Sequence, residues 1–158
     1  MKHSIKVGFS FGLTSGIITT LGLMIGLNSS TNSSIVVIGG IMTIAIEDSL
    51  SDALGIHISE EAENKHTEIE IWESTISTFL FKFIIASSFV IPILLLELTI
   101  AIIVNIILGL FLLCIFSFNI AKSQKTKPLQ VVLEHLLIAI VVIIAAYYVG
   151  YWSSLIFC

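Results

Sequence analysis

The sequence predicts an all-α integral membrane protein with five transmembrane helices, because its apolar residues form runs long enough to cross a bilayer. Of the 158 residues, 56% are hydrophobic and 11% are charged, and the mean hydropathy is +1.08. Soluble domains carry roughly a quarter charged residues. Each crossing needs about 20 residues, so five crossings leave little chain for a separate soluble domain. A formal charge of −4 argues against nucleic acid as a partner.

Short polar segments divide the apolar sequence into five parts. The second part is unusual, because its apolar run ends at residue 46 and is too short to cross a bilayer unless the acidic residues that follow lie inside the span. The predicted spans are residues 7–27, 35–58, 76–96, 98–118 and 129–152, with an acidic cytoplasmic connector at 59–75.

The lysines predict the orientation of these spans. All seven lie at the N-terminus, between residues 59 and 82, or in the loop 122–127, so that alternate loops are basic. Because basic loops stay in the cytoplasm, the N-terminus is expected inside and the C-terminus outside. An odd number of spans agrees with this orientation, and the expected location is the cell membrane.

Acidic residues in the second span are the most informative feature of the sequence. Asp48 and Asp52 are four residues apart and share one helix face, while Glu47 occupies the adjacent stripe. Carboxylates inside a bilayer are costly and usually functional. The pattern predicts a metal site with oxygen ligands, suited to Fe²⁺, Mn²⁺, Mg²⁺ or Ca²⁺. The alternative is a helix that emerges early, with residues from 47 onward solvated.

The connector carries two further pairs of acids, Glu60 with Glu63 and Glu70 with Glu73, and His66 lies between the pairs. On one continuous helix Glu63, His66, Glu70 and Glu73 would share a face. Such a face could collect metal cations at the mouth of a pathway. The alternative is a solvated acidic helix that links two spans.

The first span has glycines at four-residue spacing, Gly8, Gly12 and Gly16, which predict close packing with another helix or a dimer contact. In the later spans, Lys82 could extend to the cytoplasmic surface or pair with Glu47 or Asp48. Pro92 is expected at a kink or helix end.

Three other polar side chains have modest predicted roles. Asn105 is expected to form a hydrogen bond between helices. The two cysteines, Cys114 and Cys158, are expected to be inert thiols, since neither position suggests a disulfide framework or a zinc motif. No disulfide therefore enters the predicted fold.

Four segments in order along the chain carry a family resemblance. They are FGLTSGIITTLGLMIG at 11–26, SDALGIHIS at 51–59, VIPIL at 90–94 and AAYYVG at 145–150. Together they resemble the vacuolar iron transporter family, in a short prokaryotic form. The resemblance implies a five-span homodimer that exchanges Fe²⁺ or Mn²⁺ for protons, with the pathway at the dimer interface between first and second spans.

The chain also departs from that family's pattern. Ser15 stands where the family has an aspartate in the first span, and Asp52 stands where it has a methionine in the second. Ile44 occupies the approximate position of a glutamate, and the large cytoplasmic metal-binding insert is absent. These changes replace a mixed oxygen and sulfur site with an oxygen-only one, so Mn²⁺ is as plausible as Fe²⁺.

The sequence therefore predicts a transporter of a divalent metal rather than an enzyme. Asp48 and Asp52 of two protomers would face each other across a two-fold axis, and metal and protons would compete for the four carboxylates. No resident cofactor is expected. The alternatives are a membrane scaffold assembled through the glycine-rich first helix, and a membrane-embedded metal-dependent enzyme, for which no nucleophile or zinc motif is present.

Overall fold

The computed structural model describes residues 2–157, which form helices and turns with no strand. Five helical stretches are long and apolar enough to cross a membrane, one of them made of two consecutive helices. The protein is therefore a multi-pass helical membrane protein. The helices are α1 (His3–Thr31), α2 (Ser34–Glu63), α3 (Glu68–Ser88), α4 (Val90–Leu95), α5 (Leu98–Ser123) and α6 (Pro128–Phe157).

The second helix continues without a break through the acidic residues. Its last residue is Glu63, so Glu47 lies near its middle rather than beyond its end. At 1.5 Å per residue, Glu47 lies about 20 Å along a helix of about 45 Å. The expectation that the acids belong to the second helix is thus confirmed.

The connector expected at 59–75 is much shorter in the structure, and no single helix contains both of its acidic pairs. Asn64 closes α2 in the left-handed conformation, with φ of 53°. Thr67 then begins α3 with a capping box, in which its side chain accepts from the Glu70 N–H and the Glu70 carboxylate accepts from the Thr67 N–H. The prediction that Glu63, His66, Glu70 and Glu73 share one helix face was therefore wrong.

The first helix lies at the centre of the bundle and packs against α2, α3, α5 and α6. Its glycine ladder meets α3 of the same chain. A methyl group added at Gly8 would lie 2.6 Å from the backbone nitrogen of Thr78, and one added at Gly12 would lie 2.8 Å from the Thr78 carbonyl oxygen. At Gly16 an added methyl would reach the side chain of Ile85. The ladder is a packing surface, as expected, but α3 covers it, so a second copy cannot use it while α3 stays in place.

The third span is interrupted at Phe89, three residues before Pro92. Proline has no N–H to donate to the carbonyl four residues earlier, which here belongs to Ser88, and its ring crowds that carbonyl. The first helix of the span accordingly ends at Ser88 and a short second one begins at Val90. The predicted kink at Pro92 is therefore present as a break between α3 and α4.

Asn105 of α5 joins this break to the rest of the bundle. The residue is fully buried, and its side-chain amide donates a hydrogen bond of 2.9 Å to the Phe89 carbonyl oxygen. The same nitrogen lies 3.3 Å from the sulfur of Met24 in α1. The predicted role of Asn105 as a hydrogen bond between helices is confirmed.

Replacing Asn105 with leucine is expected to destabilise the bundle by about 1 kcal/mol, because a buried hydrogen bond between helices is lost. The free energy of unfolding in mixed detergent micelles measures the change. The matched control is Asn119→Leu, since Asn119 is exposed on the same helix and bonds only to its own helix at Ile115. Equal effects of the two substitutions would contradict the assigned role.

Candidate cation site

A buried lysine of α3 lies against the acidic face of α2. Lys82 is 1% exposed, and its ammonium nitrogen lies 2.5 Å from Asp48 Oδ2 and forms a second ion pair with Asp52 Oδ2. The two aspartates are one helical turn apart, so one ammonium group can reach both carboxylates. Snorkelling of Lys82 to the surface was the wrong alternative, because the carboxylates compensate its charge where it stands. The predicted pairing with Asp48 is present, and pairing with Asp52 is added to it.

A hydroxyl group from α1 completes this cluster. The Lys82 ammonium donates a hydrogen bond of 2.9 Å to Ser15 Oγ, which in turn donates one of 2.8 Å to Asp52 Oδ2. Asp48 is bound differently from Asp52. Its buried Oδ2 is ion-paired with Lys82 but accepts no well-aligned hydrogen bond. Three helices therefore contribute to one polar cluster, which consists of Ser15, Asp48, Asp52 and Lys82 and is called the lysine–aspartate cluster below.

The charges of the lysine–aspartate cluster do not balance. Two ionised carboxylates and one ammonium leave a net charge of −1. The lysine is enclosed, whereas the side chains of Asp48 and Asp52 are 26% and 22% exposed. The carboxylates are therefore partly accessible at the surface of the chain, whereas the ammonium is not. Such an arrangement can accept a second cation or a proton.

Glu47 does not join the cluster. It is exposed on another face of α2, because consecutive residues of a helix point about 100° apart. None of the ion pairs among residues 2–157 includes Glu47. Of the three acids predicted as ligands in the second span, the structure thus brings two together and separates the third.

The acids at the ends of α2 and α3 have different partners. Glu60, which is 9% exposed, lies with its Oε2 3.4 Å from His66 Nε2, and Glu63 Oε2 lies 3.9 Å from the same nitrogen. Glu70 is used in the capping box described above. Glu73 accepts hydrogen bonds from Lys2 and from Ser4, and these tie the start of α1 to α3.

The pairing with Glu73 has an electrostatic consequence outside the membrane span. Its carboxylate lies 2.5 Å from the Lys2 ammonium, and this hydrogen bond raises the pKa of Lys2 above its ordinary value. Lys2 is exposed, so solvent screens the pair and its contribution to stability is small. Glu73 is thus engaged by Lys2 and Ser4, and it forms no ion pair with His66 among the described residues.

The sequence did not indicate the contacts of His57. Its ring nitrogen Nδ1 lies 3.0 Å from Thr75 Oγ1, and its ring meets the edge of Trp72 at a centroid distance of 4.8 Å. These contacts hold α2 to α3 five residues beyond Asp52. The one sequence signal was the mixture of polar and apolar residues in the segment SDALGIHIS, which indicates that this part of α2 packs within the bundle.

The predicted metal ligands remain a prediction. Among residues 2–157 no group of three or more histidine, cysteine, aspartate or glutamate side chains is arranged so that it could hold a metal ion. The lysine ammonium stands between the two carboxylates that were expected to meet a metal. Cys114 is a half-buried free thiol in α5, and Cys158 lies outside the described residues.

The four motifs that resemble the vacuolar iron transporter family fall in α1, α2, α4 and α6. Ser15 and Asp52, the two departures from that family's pattern, are hydrogen-bonded to each other in the lysine–aspartate cluster. This family assignment remains a prediction from the sequence. Comparisons of the chain with protein-family models, with curated proteins and with solved structures give no match.

Proposed function

We propose that the protein transports a divalent cation, Fe²⁺ or Mn²⁺, across the membrane in exchange for protons, and that Asp48 and Asp52 bind the cation on its way. The observation that supports this proposal is the enclosed ion pairing of Lys82 with both aspartates. Buried ion pairs are poor stabilisers compared with apolar packing of the same volume. Charged groups inside a membrane bundle are most often found on ion or proton pathways.

Lys82 serves in this proposal as a resident cation. Its ammonium compensates one of the two carboxylate charges when no ion is bound, and an entering cation has to displace it. A divalent ion between the two carboxylates gives a net charge of zero if the Lys82 ammonium releases its proton to the solution as the ion enters. In the absence of the metal, Lys82 and one proton give the same balance. Exchange of the metal ion for the Lys82 ammonium and one proton leaves no uncompensated charge in a poorly hydrated place.

The donor atoms fit hard cations. Carboxylate oxygens and the hydroxyl of Ser15 suit Mn²⁺, Mg²⁺ and Fe²⁺ better than soft ions such as Cu⁺. Glu60, Glu63 and His66 lie at the end of α2 that follows the aspartates, and they offer a first contact for a cation that enters there. Glu47, Glu70 and Glu73 have no role in this step.

A scaffold assembled through the glycine-rich first helix is the competing proposal. Its contact surface would be Gly8, Gly12 and Gly16, which pack against α3 within the chain. Because that surface is covered, we favour transport over the scaffold. No catalytic role is proposed for any residue.

Uptake by proteoliposomes tests the proposal. Purified protein in vesicles with a pH gradient is expected to take up Mn²⁺ or Fe²⁺, followed with a metal-sensitive dye inside the vesicles. Asp48→Asn and Asp52→Asn are each expected to reduce uptake to the level of empty vesicles. Each single substitution leaves Lys82 one carboxylate, so the fold is expected to persist.

The matched control for this assay is Glu134→Gln, since Glu134 is an exposed acid on α6 that bonds only to Gln130. Its uptake is expected to match that of the unmodified protein. Unchanged uptake in both aspartate variants at equal protein incorporation would exclude the proposed pathway. Uptake that ignores the pH gradient would exclude the exchange for protons.

A further inference from the structure

A groove between α5 and α6 opens at the surface of the bundle, beside the loop that joins these two helices. Its volume is about 360 Å³, which is within the range of small-molecule pockets. Four of its lining residues belong to α5 and two belong to the start of α6. They are Cys114, Ile115, Phe118, Asn119, Leu129 and Val132. The Asn119 amide donates to the Ile115 carbonyl of its own helix, so the α5–α6 groove mainly offers apolar surface.

The loop beside this groove carries positive charge that the chain does not compensate. Its three lysines, Lys122, Lys125 and Lys127, are all exposed and are called the loop lysines below. None of them forms an ion pair within residues 2–157, whereas three of the other four lysines do. The nearest acid along the chain, Glu134, instead accepts a hydrogen bond from Gln130. A negatively charged partner is therefore needed to balance this loop.

The loop lysines adjoin both walls of the α5–α6 groove. Lys122 follows Phe118 by four residues and Ile115 by seven, so it shares their face of α5. Lys127 comes two residues before Leu129 on the other wall. One end of the apolar groove is thus bordered by positive charge.

The first turn of α6 adds hydrogen-bond donors at the same end. The backbone N–H groups of Leu129 and Gln130 donate to no acceptor within residues 2–157, and Pro128 has no N–H. The helix dipole makes this end of α6 positive. Free N–H groups at such a helix start are well suited to phosphate oxygens. The first turn and the loop lysines therefore favour the same kind of ligand group, an anion.

A second groove, between α1 and α3, shows that this charge is particular to the α5–α6 groove. Both lie towards the same side of the membrane, because α3 with α4 makes one crossing and α5 returns. The α1–α3 groove is larger, about 670 Å³, and its lining includes Trp72 and the two acids Glu68 and Glu73. Lys2 compensates only Glu73. An anionic ligand is therefore disfavoured there.

We infer that the α5–α6 groove binds an anionic phospholipid. One acyl chain lies along the apolar lining, and the phosphate lies among the loop lysines at the start of α6. Such a lipid brings an apolar chain and a negative charge at the spacing that the groove and the loop require, and each lysine near a membrane surface strengthens binding of anionic lipid by about fivefold. This inference rests on the membrane assignment and is independent of the proposed transport.

Quenching of tryptophan fluorescence by brominated lipids tests the inference. The reporter is Phe118→Trp, in a protein whose two native tryptophans are changed by Trp72→Phe and Trp152→Phe. The protein is placed in vesicles of phosphatidylcholine mixed with phosphatidylglycerol, and each lipid in turn carries brominated acyl chains. The quenching then measures which lipid occupies the groove. Phosphatidylglycerol is expected to bind at least about fivefold more tightly than phosphatidylcholine, the share of a single lysine.

Two comparisons separate this site from general attraction of anionic lipid to the protein. The native Trp72, in a protein with Trp152→Phe only, reports on the α1–α3 groove and is expected to show no preference for phosphatidylglycerol. Replacing the three loop lysines with glutamine should abolish the preference at Phe118→Trp. The matched control removes the same charge from the same side of the membrane and should leave the preference unchanged. It consists of Lys2→Gln, Lys6→Gln and Lys65→Gln.

Three results would overturn the inference. The first is an equal preference for phosphatidylglycerol at the two reporters, and the second is a preference that survives the loss of the loop lysines. The third is an absence of quenching at Phe118→Trp by either lipid, since protein rather than lipid would then fill the groove. None of these readings depends on metal uptake.

Discussion

Replacing Lys82 with methionine is expected to lower the free energy of unfolding by about 3–5 kcal/mol. The substitution keeps the length of the side chain but leaves Asp48 and Asp52 without the ammonium that compensates them. Removing one partner of a buried ion pair is costly because the other charge remains in a poorly hydrated place. Reversible unfolding in mixed detergent micelles, followed by circular dichroism, measures the loss.

A triple variant separates the charge effect from the packing effect. Lys82→Met combined with Asp48→Asn and Asp52→Asn removes all three charges, and most of the lost stability is expected to return. A buried ion pair replaced as a whole by hydrophobic residues of similar volume is often neutral in stability, and asparagine removes the aspartate charge at nearly the same volume. If the triple variant were as unstable as Lys82→Met alone, the ion pairs would not be the cause. The triple variant should still fail to take up metal, because both proposed ligands are absent.

The five membrane spans could be predicted because the bilayer imposes a length and a composition that can be counted along the chain. The acidic face of α2 could also be predicted, since a spacing of four residues fixes which side chains share a face. Asp48 and Asp52 do share that face. The sequence could not decide that α3 and its Lys82 lie against this face, because that depends on how helices rotate and slide against one another.

The sequence alone cannot decide the partner of Lys82. A lysine partway into a span can extend to the surface or pair with an acid, and both solutions satisfy its charge. The structure selects pairing because α3 packs closely on α1 at the glycines, and this register places Lys82 beside Ser15 and Asp52. A row of small residues predicts that another helix packs closely there, but it does not identify that helix.

The turn between α2 and α3 was predictable in principle. Thr67 and Glu70 form the pattern of a capping box in front of an apolar run, and Asn64 is a residue type that readily takes the left-handed conformation. A single connector over residues 59–75 is not compatible with that local signal. The consequence was a predicted metal-collecting face whose members lie on two helices and a turn.

Substituting Gly12 with alanine is expected to destabilise the monomer in detergent by about 1–3 kcal/mol. The added methyl group would lie 2.8 Å from the Thr78 carbonyl oxygen and 3.1 Å from the backbone nitrogen of Lys82. Backbone atoms cannot turn aside as a flexible side chain can, so α1 and α3 have to separate. Unfolding in mixed micelles measures the effect.

Gly55→Ala is the matched control for this prediction, because its methyl group meets no atom of its own chain. Alanine favours a helix over glycine by up to about 1 kcal/mol, so this variant should be as stable as the unmodified monomer or more stable. The same change from glycine to alanine is thus expected to lower the free energy of unfolding at position 12 but not at position 55. Equal destabilisation would mean that helix contact at Gly12 is not the cause. Because Gly12 lies against the backbone of Lys82, a shift of α3 away from α1 should also disturb the hydrogen bond from Lys82 to Ser15, and metal uptake should fall in Gly12→Ala even where the protein remains folded.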